Sequence, residues 1–174
     1  NSYIHHIGDE GICFINCGDR YTLTDSNNFI KNNHFEYTGQ WRRTRPPIYI
    51  SINDTGINIT NNLFENIPQS AIILKGNNHT IEYNKFHHIC YEADDMGVIY
   101  GNTKWDQRGH VIGYNELYEV NCTTLADATA YEGGHGVHGF YQDNCGSDQL
   151  ITDNIMHSIT GRCTLNNGGR EIRH

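Results

Sequence analysis

The sequence offers no run of about 18 apolar residues, the length a membrane-crossing helix needs, so no helical span is expected. It is short of positive charge: 12 Lys and Arg stand against 20 Asp and Glu, a formal net charge of −8. Nucleic-acid partners need a basic footprint for their phosphates, and this balance argues against one. Proline is scarce, at 3 in 174 residues, while 11% of the chain is aromatic. Disordered segments show the opposite bias. None of the six Cys, at 13, 17, 90, 122, 145 and 163, falls in the C-x-x-C spacing of a zinc site. They read as small buried hydrophobes, or as one or two disulfides of a secreted chain. No helical period and no signal peptide is visible. There is no initiator Met, and the end "GGREIRH" carries no recognisable stop, so a single domain spanning 1–174 as part of a longer protein is expected.

What is abundant is Asn, with 21 residues, and Gly, with 18. Both serve turns. The Asn residues recur in one pattern: "FIKNNHFEYT", "NITNNLFENI", "TIEYNKFHHI", "VIGYNELYEV" and "LITDNIMHSI". Each has an apolar residue, an Asn three later, and an apolar or aromatic residue two after that. The anchors are Asn33, Asn62, Asn84, Asn115 and Asn154, with Ser2 in the same place in "SYIHHI". The intervals are 31, 29, 22, 31 and 39 residues, a bare period near 22 with loop insertions. Short strands repeating at this spacing describe a parallel β-helix. One short strand cannot stabilise itself, but coils stacked about 4.8 Å apart share hydrogen bonds and a core. Asn tolerates the left-handed backbone region, which suggests that these Asn occupy it at equivalent corners. Stacked, they can bond one another in a ladder. Phe35, Phe64, Phe86, Leu117 and Met156 are then expected to stack inward.

The apolar runs "GICFI", "PIYISI", "SAIILK", "GVIYG", "HGFYQ" and "RCTLN" are expected to form the strand before the turn in each coil. Insertions become loops, where function concentrates. The longest, "NCTTLADATAYEGGHG", can border a groove. Three acids, Glu92, Asp94 and Asp95, crowd the start of "GVIYG" in a chain of only 18% charged residues.

The runs "GDRYTLTDSNNFIKNNHF", "QWRRTRPPIYI", "SAIILKGNNHTIEYNKFHHIC", "EADDMGVIYGNTKWDQRGHVIGYN", "GHGVHGFYQDN" and "NNGGR" resemble, in this order, right-handed β-helix proteins of glycoside hydrolase family 141. That family includes α-L-fucosidases and xylanases. The D-D-x-G-x-I-Y segment followed by W-x-x-R-G-x-V-I is the specific part. The resemblance implies an all-β, right-handed parallel β-helix of about six coils that acts on a polysaccharide or oligosaccharide. Its acidic sites fall on Asp94, Asp95 and Asp143. Asn144 stands where the family has a second acid, and His110 where relatives have Asn.

Cleaving a glycosidic bond takes two carboxyl groups, one on each side. Asp143 with Asp94 or Asp95 fits that requirement. Equally, Glu92, Asp94 and Asp95 can cap the strand, pair with Arg, or hold Ca²⁺; apart from that ion no metal or cofactor is implied. Glu92, Tyr100, Trp105, Arg108, His135 and His138 are candidates to bind the sugar. Trp offers a flat apolar face and Arg a donor fork. The competing readings are a packed loop for Trp105 and Arg108, and a Gly-rich turn around the two His. Arg42, Arg43 and Arg45 beside Trp41 can grip an acidic sugar or form a solvated loop. The groove is expected along Ile73, Val98, Tyr100, Phe140 and Tyr141. The expected protein is a secreted, monomeric glycoside hydrolase. Four N-x-S/T sequons, at Asn53, Asn58, Asn78 and Asn121, are consistent with secretion. A lyase of acidic glycans and a non-catalytic glycan-binding β-helix are the alternatives.

Overall fold

A computed structural model describes residues 1–122, 136–169 and 172–173. Every element among them is a β-strand. One parallel sheet orders β1 (Tyr3–His5), β4 (His34–Glu36), β7 (Leu63–Ile67), β10 (Lys85–Ile89), β13 (Glu116–Val120) and β16 (Ile155–Ile159). A second orders β2 (Ile12–Phe14), β5 (Ile48–Ile50), β8 (Ile72–Ile73), β11 (Met96–Thr103), β14 (Val137–Asn144) and β17 (Thr164–Asn166). The third orders β3 (Asn28–Lys31), β6 (Ile57–Thr60), β9 (Thr80–Glu82), β12 (His110–Gly113), β15 (Gln149–Thr152) and β18 (Ile172–Arg173). Each strand therefore pairs with the strand three places on in the chain. That is the arrangement of a parallel β-helix.

Inward side chains stack in rows. Phe35, Phe64 and Phe86 are fully buried, with ring centroids 4.9 Å apart at both steps. Leu117 continues the row, and Met156 packs against the core from its edge. Beside them runs the Asn ladder. Asn62 Oδ1 accepts from the backbone N–H and the side-chain amide of Asn33, at 2.9 and 3.1 Å. Asn84, Asn115 and Asn154 repeat the contact to the Asn before them, with backbone N–H distances of 3.0, 2.9 and 2.9 Å. Ser2 takes the equivalent place, its carbonyl accepting from His34 as that of Asn33 accepts from Leu63.

The corner geometry differs from the expectation. The ladder Asn are not left-handed. The residues just before them are: Asn32, Asn61, Tyr83, Tyr114 and Asp153, with φ between 53° and 58°. The ladder Asn are needed for their amides, which serve main-chain groups of two coils. The strained position falls on whatever residue precedes, at a cost of about 1–2 kcal/mol each for a residue with a Cβ.

The cysteines also differ. All six are free thiols, and only Cys90 is buried. Cys13, Cys145 and Cys163 are exposed, so the small-core-residue reading holds for Cys90 and in part for Cys122, which packs against the core.

Candidate functional site

The site is built on β11 and β14, the two longest strands of the second sheet. Tyr100 pairs with Tyr141, and Asn102 with Asp143. Regular alternation would put Val98 outside beside Tyr100. Instead Val98 and Ile99 are both buried in the core, and so is Phe140. This corrects the expected groove: Val98 and Phe140 do not line it. Two consecutive inward residues, and the approach of Gly97 to Tyr141 three places past its own partner His138, place a bend in the strand at this point. At Gly97 an added Cβ would sit 2.8 Å from the Cβ of Tyr141, so only Gly fits the hollow. The bend brings the beginning of β11 toward the middle of β14.

Tyr141 occupies that hollow at 6% exposure. Burial, then the charges of Asp95 and Asp143, push its phenol up to about 12. It stays neutral and hydrogen-bonds to Asp95 and Asn167. Asn167 in turn donates to Asp143 Oδ1 at 2.9 Å. Tyr141 thus links directly to Asp95 and, through Asn167, to Asp143. Asp143 accepts two further bonds: Tyr100 Oη donates to Oδ2 at 2.9 Å, and the Asn144 N–H to Oδ1 at 2.7 Å. The Tyr100 and Tyr141 rings meet edge to face at 5.2 Å. Both carboxyls and Tyr100 are half-buried.

The other candidates have different surroundings. Asp94 is exposed and accepts the Gly136 N–H at 2.8 Å, tying down the entry to β14. Glu92 pairs with Arg43 at 3.2 Å. The three neighbouring acids thus diverge to separate partners instead of converging on one point. His138 is 1% exposed, too deep to meet a sugar directly. Its Nδ1 accepts the Arg162 N–H at 2.9 Å, and its ring buttresses Tyr141 edge to face at 5.3 Å. Arg108 lies 3.6 Å from Asp148. His135 and most of the 121–136 loop lie outside the described residues. The arginine cluster is held by acids of its own chain: Arg42 by Asp9 and Arg45 by Glu10, both at 2.8 Å.

Trp105 is 72% exposed and lines an outer cavity of about 580 Å³ with Tyr49, Lys75, Lys104, Asn144 and Cys145 among others. Tyr49, Lys75 and Lys104 carry no local motif; only the stacking of coils brings them together. A second group also escaped sequence reasoning. His34, Glu36 and Glu65 place potential ligand atoms within 4.8 Å of one another on the first sheet, far from the acid pair in the chain. There His34 Nε2 and Glu65 Oε1 lie 2.7 Å apart, and His87 Nε2 meets Glu119 at the same distance, so these side chains pair along the stack. Alternate rows of such a sheet face outward, which is the signal that could have found them.

No family description, no curated protein and no solved structure matches the chain.

Proposed function

We propose that the chain is a carbohydrate-active enzyme that hydrolyses glycosidic bonds in a polysaccharide, using Asp143 and Asp95 as its carboxyl pair. The reading includes the finer architecture: a right-handed β-helix of about six coils related to glycoside hydrolase family 141, secreted and monomeric. Right-handed winding is the hand that parallel crossovers favour. The observation that carries the proposal is the meeting of two carboxyls around one buried phenol. Asp95 and Asp143 are 48 positions apart in the sequence (143 − 95), yet the Tyr141 phenol hydrogen-bonds to the first and, through Asn167, connects to the second. Glycosidase pairs are separated by about 5–5.5 Å when retaining and about 6.5–9.5 Å when inverting.

The roles follow from the partners. Asp143 accepts from Tyr100, Asn167 and its neighbour's N–H, so its oxygens are held as acceptors. That suits the nucleophile or base. Asp95, across Tyr141, is the second carboxyl, and the two divide the acid and base roles. Tyr141 sits between them and keeps its proton. Asp94 anchors the loop, Tyr100 and Arg108 flank the site, and Trp105 stacks on a sugar ring.

The experiment is incubation of the protein with a panel of plant and algal glycans, followed by product analysis. New reducing ends that vanish in Asp143→Asn and Asp95→Asn support hydrolysis. Unsaturated, ultraviolet-absorbing products would instead identify a lyase. Binding without any product would leave a glycan-binding solenoid.

A further inference from the structure

We infer that the cavity beside the acid pair is an anion-reading subsite, and that the glycan taken by this site carries carboxylate or sulfate groups. The inference rests on the hydrolase reading for the place of cleavage, but on separate residues for the charge. The cavity is lined by Tyr49, Lys75, Lys104, Trp105, Asn144 and Cys145. Asn144 directly follows Asp143, so the cavity opens at the edge of the acid cluster. Lys75 follows Ile73 by two residues, as Asn102 follows its partner Tyr100, and Asn102 pairs with Asp143. Counting along the register puts Lys75 about two strand spacings from Asp143, roughly 10 Å along the solenoid.

The charges of this cavity are uncommitted. Most other described cations have acids: Lys85 pairs with Glu116 at 2.8 Å, and Arg42, Arg43 and Arg45 pair with Asp9, Glu92 and Glu10, while Lys31 stands alone on the surface. Among the described residues neither Lys75 nor Lys104 has a carboxylate within ion-pair distance. The Lys75 ammonium lies 5.6 Å from the centroid of the Tyr49 ring, which directs it across the cavity wall. In a chain of net charge −8, two unpaired ammonium groups in one cavity form a local exception. A low-dielectric wall concentrates their field on an anionic ligand. Trp105 adds a flat face that a pyranose ring can cover. A neutral glycan would use Trp105 and leave both ammonium groups unanswered. An acidic one uses all three.

The test is quenching of tryptophan fluorescence in a Trp41→Phe background, since the chain has 2 Trp and this leaves only Trp105. The probes are oligogalacturonate, a sulfated galactan oligosaccharide and a neutral xylo-oligosaccharide. At least about tenfold tighter binding of one acidic probe than of the neutral one is expected. That preference should weaken with added salt and disappear in Lys75→Gln/Lys104→Gln, with neutral binding unchanged. Which acidic probe binds tells carboxylate from sulfate. Equal binding of neutral and acidic probes, no quenching by any probe, or an intact preference in the double variant would overturn the inference. The hydrolase reading fails separately: an acidic preference that persists while Asp143→Asn leaves product formation unchanged removes that reading and keeps the subsite. Asp143-dependent turnover without acidic preference does the reverse.

Discussion

Replacing Asn84 by leucine removes a side chain that serves three coils at once. Asn84 is buried at 1% exposure. Its Oδ1 accepts from the Asn62 N–H and Nδ2, both at 3.0 Å. Its Nδ2 meets the carbonyls of Ile59 and Glu82 and the Oδ1 of Asn115, at 2.9, 3.0 and 3.1 Å. Leucine fills the volume but satisfies none of these groups. The Asn62 N–H is then a buried donor without a partner, worth about 1–3 kcal/mol, and each weakened carbonyl contact adds about 0.5–1 kcal/mol. The expected loss is about 3–4 kcal/mol, a large share of the roughly 5–15 kcal/mol of an ordinary domain. Asn154→Leu is the internal comparison. It is half-buried at the end of the ladder, water can replace part of its bonding, and about 1–2 kcal/mol is expected. Equilibrium urea unfolding followed by circular dichroism measures both. A loss below about 1 kcal/mol at Asn84, or equal losses at the two positions, would refute the claim that the ladder holds the coils in register.

Acidification should destabilise the fold through a buried imidazole. Burial lowers His79 from 6.5 to about 4, and His110, stacked on it at 5.1 Å, is lowered as well. Their stability contribution is whole above pH 6.5, the unfolded value, and is lost as pH falls toward the folded value. For His79 that loss reaches about 3 kcal/mol at pH 4, read as a urea midpoint that flattens with pH in His79→Asn. Phe64→Ala opens a gap between two stacked rings and should cost about 3–5 kcal/mol in the same assay; a cost under about 1 kcal/mol would mean that the ring stack carries little. Gly97→Ala pushes on the Cβ and the backbone N of Tyr141, so turnover should fall and the fold should lose about 1–3 kcal/mol in the urea assay, the cost of overpacking a core strand. Unchanged turnover would show that the hollow around Tyr141 is not part of the site.

The parts of this fold that repeat were legible in the sequence. The Asn anchors and the Phe row recur at one spacing from coil to coil, and a solenoid copies local geometry along its length. The backbone strain was misplaced by one residue, because the tolerance of Asn for left-handed φ suggested a reason for its presence that its amide bonding supplies instead. Val98 and Phe140 were placed in the groove because alternation assumes a straight strand, and β11 bends. Asp95 and Asp143 were both visible as acids. Their meeting depends on that bend and on Tyr141, which no local pattern reveals. Glu92 drew notice as a member of an acidic triplet, yet its partner Arg43 lies in another coil. Lys75 and Lys104 drew none, since isolated lysines on a polar chain look like solvated surface.

The proposed function stands on Asp95 and Asp143 acting as one catalytic pair. Its most direct measurement is turnover and affinity for Asp95→Asn and Asp143→Asn on a glycan the protein cleaves. Removing a group that acts in the transition state lowers the rate without loosening the ground state. With a true pair, kcat falls by about 10³-fold or more in each variant, with binding affinity within a few-fold. Full kcat in either variant would contradict the pairing, and would leave these carboxyls as partners of Tyr141 that only brace the bend of β11.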